Sequence, residues 1–386
     1  VRKGPEAFRP GLARCPRDHL HHEAIYRMRL TCLLWNAAAV AIAWIGGICL
    51  AQEASPSSES KFLTNIRQVT SGFVKAGEGY FSPDARLIVF QAQPQDYPFY
   101  QIFVQPLAGG PPRRISTGRG RTTCSYFSPD GTRILFASSH LDPQLDQTEA
   151  AERRKQEEDR RAGVRRRYQW DFDPHMDLFE ADLEGRILRR LTDTPGYDAE
   201  GAYSPDGTLI AFCSDRDGDP DIYVMRSDGT QVRQLTNAPG YDGGPFISPD
   251  QRWIVFRSDR KRSEWLQLYV IGLDGQHETQ LTDTQGVNWG PYWHPTQPYL
   301  IWSAADHSNP AVRPNYDLWM ARYTAAEGRF TLGPPIRVTD HPAADVLPVF
   351  SPDGRKLMWT STRTADQSSQ LFLADFRLPE EEASRP

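Results

Sequence analysis

Apolar and polar residues alternate in short runs along most of this chain. In "YFSPDGTRILFASS", Tyr126 to Ser139, Tyr126 precedes a Ser-Pro-Asp-Gly turn, and Ile134 and Phe136 alternate with other residues after it. Serine suits the first place of a type I turn, proline fixes φ at the second, aspartate suits the third and glycine the fourth. Period-two alternation on both sides predicts a β-hairpin with one buried face. The same phrase recurs at Ser82-Pro83-Asp84, Ser204-Pro205-Asp206, Ser248-Pro249-Asp250 and Ser351-Pro352-Asp353, with His294-Pro295 as a variant, which makes six.

Two further marks keep step with the hairpins. A polar residue, Ile or Leu, and an aromatic appear as Gln101-Ile102-Phe103, Asp177-Leu178-Phe179, Asp221-Ile222-Tyr223, Gln267-Leu268-Tyr269, Asp317-Leu318-Trp319 and Gln370-Leu371-Phe372. A short strand ending in Ser or Thr follows five times, as "RRIST", "LRRLT", "VRQLT", "ETQLT" and "PIRVT". Its sixth copy, "IRQVT" at Ile66 to Thr70, stands ahead of the first hairpin instead. A unit of roughly 45 residues with four short antiparallel strands is the size of a propeller blade. A ring of such sheets must close or leave an open edge. The displaced strand therefore predicts an all-β fold, a six-bladed β-propeller in which Ile66–Thr70 completes the last blade beside Leu371–Phe376.

Spacing between the turn markers is 46, 76, 44, 46 and 57 residues. The surplus in the second interval is Thr148 to Trp170, "TEAAERRKQEEDRRAGVRRRYQW". Glu149 with Arg153 and Glu157 with Arg161 are i, i+4 pairs in the helix-supporting order. A solvated helix looping out of the second blade is expected over this insertion, with Arg165-Arg166-Arg167 as a positive tip.

The first 51 residues do not follow the repeat. Met28 and Arg29 lead into "LTCLLWNAAAVAIAWIGGICLA" and then the polar "QEASPSSES". A basic start, an apolar stretch and a small-residue exit describe a secretory signal over residues 28–51, cleaved after Ala51; an uncleaved anchor is the alternative, since this run of 22 residues is long enough to span a bilayer. Residues 1–27 read as an upstream extension, 52–61 as a linker, 62–377 as the propeller with its 148–170 insertion, and 378–386 as a disordered tail. The formal charge is -5, and removing the seven Lys/Arg and three Asp/Glu of residues 1–51 takes it to -9. Nucleic-acid binding is excluded on that balance, because phosphates demand a basic face. Cys124 and Cys213 are the cysteines that follow residue 51. They read as two buried free thiols, or as one disulfide in an oxidising compartment.

These hairpin and strand marks resemble the TolB-like propellers, whose repeats are called PD40 or WD40-like, over about residues 62–377. Gly-His and Trp-Asp marks of true WD40 blades are not in the pattern. The resemblance implies a periplasmic or secreted protein at work in the cell envelope, possessing a channel end that holds a protein partner. Only Gln52 to Lys61 lies between the leader and the first strand, so a stand-alone propeller without the family's leading α/β domain is expected.

The loops entering the innermost strands should ring one channel mouth. Six positions before each turn marker stand Ala76, Thr122, Asp198, Asp242, Asn288 and Asp345; four before stand Glu78, Cys124, Glu200, Gly244, Gly290 and Leu347. In an extended strand, positions two apart share a face, which would crowd Glu78, Asp198, Glu200, Asp242 and Asp345 into one funnel. Tyr197 and Tyr241, from the matched "GYDAE" and "GYDGG" loops, would line its rim with Trp289. Converging carboxylates raise one another's pKa unless a cation joins them. The expected ligand is thus a Lys- or Arg-bearing envelope protein or peptide. No cofactor is called for, though a channel-bound divalent cation such as calcium fits the same chemistry. A structural reading has these acids capping loop amides or meeting water.

"DRDGDPD", Asp215 to Asp221, has glycine fourth, where an EF-hand loop needs it sixth, and reads as a polar turn. No HExxH and no Gly-x-Ser-x-Gly elbow occurs. A non-enzymatic, monomeric binding propeller is the leading reading, without a membrane span once the leader is removed. A polysaccharide lyase or glycoside hydrolase is the runner-up, with Glu78 and Glu200 as acid and base. A purely structural scaffold is the third.

Overall fold

A computed structural model of the chain describes residues 58–164, 172–326 and 328–379. The readings of the leader, of residues 1–27, of Arg165–Arg167 and of the end of the tail lie outside those residues. No described helix is long and apolar enough to cross a membrane.

Each repeat builds an antiparallel run. The first comprises Lys75–Phe81, Leu87–Gln93, Gln101–Pro106 and Arg113–Arg114. The second comprises Thr122–Phe127, Arg133–Ser138, His175–Asp182 and Ile187–Arg190. The third is Gly196–Tyr203, Leu209–Ser214, Asp221–Arg226 and Arg233–Gln234, joined to the second by a short parallel bridge at Tyr197 and Met176. The fourth is Asp242–Ile247, Trp253–Ser258, Gln267–Gly272 and Thr279–Gln280. The fifth is Gly286–Trp293, Tyr299–Asp306, Asp317–Ala326 and Ile336–Arg337, with Arg329–Leu332 as an extra hairpin arm. The last run takes Asp345–Phe350, Lys356–Ser361 and Gln370–Phe376 from the C-terminal end and Leu63–Gln68 from the N-terminal side. The architecture is an all-β propeller of antiparallel sheets, with one α-helix among the described residues.

Local chemistry explains the recurrence. In every Ser-Pro-Asp turn the serine hydroxyl accepts the amide five residues on, as from Arg133 to Ser128 at 3.0 Å and from Leu209 to Ser204 at 2.9 Å. Where His294 replaces serine, its Nδ1 accepts the amides of Thr296 and Gln297 at 3.3 and 3.1 Å. The imidazole acts as a turn acceptor, in keeping with its reading as a turn variant.

The terminal Ser/Thr of each outer strand has an equally regular task. Ser116, Thr192, Thr236, Thr282 and Thr339 accept the amides of Ile102, Leu178, Ile222, Leu268 and Leu318 at 2.8–3.0 Å. Thr70 accepts that of Leu371 at 2.9 Å, although the two lie 301 residues apart. The N-terminal strand thus reproduces in the last run the contact made elsewhere by a sequence neighbour. It begins at Leu63, three residues before its expected start. Within the expected linker, the Ser58 amide and hydroxyl donate to Asp340 at 2.9 and 2.8 Å.

The helix spans Leu145–Ala162, earlier than expected, and ends on Gly163 at φ 64°. It is not wholly solvated. Glu149 accepts from Tyr97 at 2.6 Å and from Arg119 at 2.9 Å, Arg153 donates to the Asp96 carbonyl, and Gln156 to the Pro98 carbonyl. The expected Glu149–Arg153 pair gives way to these tertiary partners, while Glu157 and Arg161 do pair at 2.9 Å. Cys124 and Cys213 are free and buried.

Candidate functional site: the channel mouth

The residue four places before each turn marker bends the inner strand. Glu78, Cys124, Glu200 and Leu347 take φ values of 48°, 51°, 58° and 55°, and Gly244 and Gly290 take 60° and 59°. Left-handed backbone is uncommon outside glycine. At each such residue the register to the second strand slips, the mark of a β-bulge. A bulge breaks strict alternation, so positions six and four back do not share a face. The expected funnel of acids is corrected accordingly.

The residues six back turn away into the sheets. Asp198 pairs with Arg216 at 2.9 Å, Asp242 with Arg260 at 2.5 Å, and Asp345 with Arg363 at 2.5 Å. Each arginine stands twelve places after its turn serine and stacks over the aromatic at place eight, Phe212, Phe256 or Trp359. Asn288 accepts from Trp302 Nε1 at 3.0 Å, and Thr122 donates to the Tyr100 carbonyl at 2.9 Å. All five are buried. Their charges are met within their own runs, as burial demands.

Glu78 and Glu200 do line the channel, with Cys124, Ser125 and Leu347. Glu200 accepts from Tyr197 Oη at 3.1 Å, Tyr241 Oη at 2.9 and 2.8 Å, the Gly244 amide at 2.6 Å and Arg257 Nη2 at 2.8 Å. Arg257 also donates to Tyr241 Oη, at 2.7 Å from Nη2, and packs against the Tyr241 and Trp289 rings. Gly244 admits it, since a Cβ there would lie 2.3 Å from Arg257 Nη1, and Gly243 likewise makes room for the Tyr241 hydroxyl. Glu78 has the Tyr80 hydroxyl at 3.4 Å. Burial pushes its carboxyl up to about 7, against the lowering effect of Cys124 and Arg257.

Beneath these groups an aromatic plug fills the channel. Tyr80 packs on Tyr126 at 4.9 Å, Phe246 on Tyr292 at 5.1 Å, and the Tyr126 and Tyr292 hydroxyls meet at 3.0 Å. The remaining space is about 20 Å³, room for about one water molecule. Above, Phe172 is 39% exposed and lies edge-on to Tyr197 and Tyr241 at 5.1 and 5.5 Å; Trp289, half-buried, meets Tyr316 at 6.3 Å.

Of the ten sequence candidates, then, Glu78, Glu200, Tyr197, Tyr241 and Trp289 gather at the mouth, while Thr122, Asp198, Asp242, Asn288 and Asp345 sit within the sheets. Sequence reasoning missed Arg257, Phe172 and the plug. The arginine was within reach: nine places after each turn marker stand Gln91, Ala137, Cys213, Arg257, Ser303 and Thr360, each in register with the residue before the bulge.

Comparison with known proteins agrees with the architecture. The TolB beta propeller domain family, PD40, matches residues 169–259. A TolB homolog of Chlorobium luteolum is 28% identical over 137 residues, covering 33% of this chain and 31% of that protein. The chain thus matches less than a third of that relative's length. The Tol-Pal system protein TolB of Bordetella pertussis is 51% identical over 39 residues, covering 10% of this chain and 9% of that one. Among solved structures, a protein described as a TolB from Agrobacterium tumefaciens superposes with a TM-score of 0.52 at 20% identity, over 78% of this chain and 91% of that one. TolB from Acinetobacter baumannii does so at 0.50 and 16%, over 80% and 65%.

Proposed function

Because the chain is a TolB-like β-propeller, we propose that it is an exported, non-enzymatic protein of the cell envelope that holds a protein or peptide partner at the channel mouth, in a Tol-Pal-type role. The wheel is read as six blades, supported by the matching Ser/Thr-to-amide contacts that include Thr70 and Leu371. The observation that carries the binding site is the rim of Phe172, Tyr241, Trp289 and Tyr316 around a charge-compensated centre. Aromatic side chains give large contact area at little entropic cost and mark binding faces. No cofactor enters this reading, and the site works in a monomer.

Turnover is disfavoured by space. Glu78 and Glu200, the candidate acid and base, face a channel of about 20 Å³ closed by the plug, and a sugar ring does not fit beside them. Isothermal titration of the purified protein with the Pal component of the same envelope tests the proposal. Binding that weakens about tenfold, or roughly 1.4 kcal/mol, in Phe172→Ala/Trp289→Ala supports it; absence of heat, or equal affinity in the variant, rejects it.

A further inference from the structure

In every repeat one side chain of the outer strand stands in register with the third-strand aromatic. The pairs are Arg114 with Phe103, Arg190 with Phe179, Gln234 with Tyr223, Gln280 with Tyr269, Arg337 with Trp319 and Gln68 with Phe372. Gln68, Arg190, Gln280 and Arg337 each donate to the carbonyl two residues on, at 2.7–3.0 Å. Arg190 and Arg337 also take an acid from the start of the third strand, Asp177 and Asp317, each at 2.7 Å. Gln234 turns to Asp221 at 3.1 Å. Arg114 does none of this.

Where Asp177 and Asp317 stand, the first repeat has Gln101, whose amide is already committed. Its Oε1 accepts from Ser116 Oγ at 2.7 Å and from the Gly118 amide at 3.0 Å. Its Nε2 donates to the Tyr100 and Gly120 carbonyls at 2.8 and 2.9 Å. Among the described residues, no group accepts a hydrogen bond from the Arg114 guanidinium. That head lies over Gly118 instead, where a Cβ would come within 2.8 Å of Cζ and Nη2. It thereby lines a groove of about 400 Å³ together with Arg153 of the helix. Arg153 Nη1 donates to the Asp96 carbonyl at 2.9 Å, and its Cζ stands 5.6 Å from the Tyr97 ring. Phe73, packed on Phe103 at 4.9 Å, adds to the apolar wall. Two guanidinium groups thus stand against one carboxylate, that of Asp96, among the described residues of the lining, in a chain whose formal charge is -5.

We propose that this groove binds a carboxylate-bearing ligand, which gives Arg114 the partner that Asp177 and Asp317 give its counterparts. Exposure alone would leave a guanidinium to water; here a glycine makes room for it, a second arginine joins it and aromatic rings wall the space. A planar guanidinium matches a carboxylate through two parallel N–H···O bonds. The rings favour an acid carried on a flat or apolar body over a bare ion, and the volume is that of a small-molecule site. Such an acid comes on a free small molecule or on an aspartate of a peptide, and the arms of the test separate the two. The groove shares no lining residue with the channel and does not depend on the role proposed there.

The test uses the full chain at low salt and follows 4-fluorobenzoate by fluorine NMR, with the uncharged 4-fluorobenzamide as control. Saturable broadening of the benzoate line with a Kd of roughly 1 mM is expected, and the amide should bind at least about tenfold more weakly. Arg114→Gln, which installs the residue the fourth and last repeats carry, should hold the parent's Tm within about 2 °C. It should also weaken the benzoate at least about tenfold. Gln101→Asp supplies an acid from within the chain, as in the sister repeats, and should weaken the probe by a similar factor. With those results in hand, displacement by N-acetyl-Phe-Asp-amide tighter than the benzoate's own binding assigns a peptide acid, and weaker displacement assigns a free carboxylate. The proposal falls if benzoate up to about 10 mM, tenfold past that Kd, is not broadened by the parent. It falls equally if Arg114→Gln binds the benzoate as the parent does, if the amide binds as tightly as the acid, or if inorganic phosphate displaces the probe more tightly than either carboxylate.

Discussion

Arg257 Nη2 lies 2.8 Å from Glu200 Oε2, joining the second strand of the fourth repeat to the inner strand of the third. Both side chains are almost wholly enclosed, at 6% and 2% exposure. Breaking a buried pair from one side costs more than deleting it whole. Arg257→Met should lower stability by about 3–5 kcal/mol, and adding Glu200→Gln should restore more than half of that. Urea unfolding of the two variants checks it; a double variant no better than the single one would contradict the pairing.

Glu78 predicts a pH dependence. Its folded pKa stands at about 7, above the ordinary 4.5, chiefly through burial. The folded state therefore binds the proton more tightly than the unfolded chain. The contribution is fully present below about pH 4.5 and is lost as pH rises to about 7, by about 3 kcal/mol. Glu78→Gln should remove that slope and exceed the parent in stability at pH 8. Denaturant midpoints measured at pH 5 and pH 8 decide; parallel curves for parent and variant would refute the assignment.

Thr70 gives a test of ring closure. Its hydroxyl accepts the Leu371 amide and meets Gln370 Oε1 at 2.8 Å, both in buried surroundings. Thr70→Val should cost about 1–3 kcal/mol, matching Thr236→Val inside the third repeat. A cost near zero at Thr70 alone would mean that the N-terminal strand contributes little to the closed wheel.

Glu149 fastens the helix to the first repeat through Tyr97, Arg119 and the Gly120 amide. Glu149→Ala should leave global unfolding nearly unchanged and accelerate limited proteolysis within residues 145–164, because local opening is governed by local contacts. Unaltered cleavage would show the helix to be held by other means.

The hairpins, the third-strand marks and the displaced closing strand were all legible, because each rests on residues local in sequence: a Ser-Pro-Asp turn, a period of two, a Thr that receives an amide. Where the mouth side chains point was not legible. One left-handed residue per inner strand resets the alternation, and a bulge carries no residue signature when Glu, Cys, Leu and Gly all fill it. Arg257 escaped notice because it lies on a second strand, and its entry depends on Gly244 of the inner strand it pairs with. The inward-looking acids at 198, 242 and 345 were misjudged because their arginines come eighteen residues later. Such pairings are tertiary facts that spacing within one strand does not encode.

The central claim is that the aromatic mouth, and not the outer rim of the sheets, meets the partner. Site-specific photo-crosslinking in intact cells producing the protein tests it, with the crosslinker placed at Trp289 on the mouth or at Leu188, 51% exposed on an outer strand. A discrete protein adduct from position 289 and none from 188 is the predicted result. Adducts from 188 with none from 289 would contradict it.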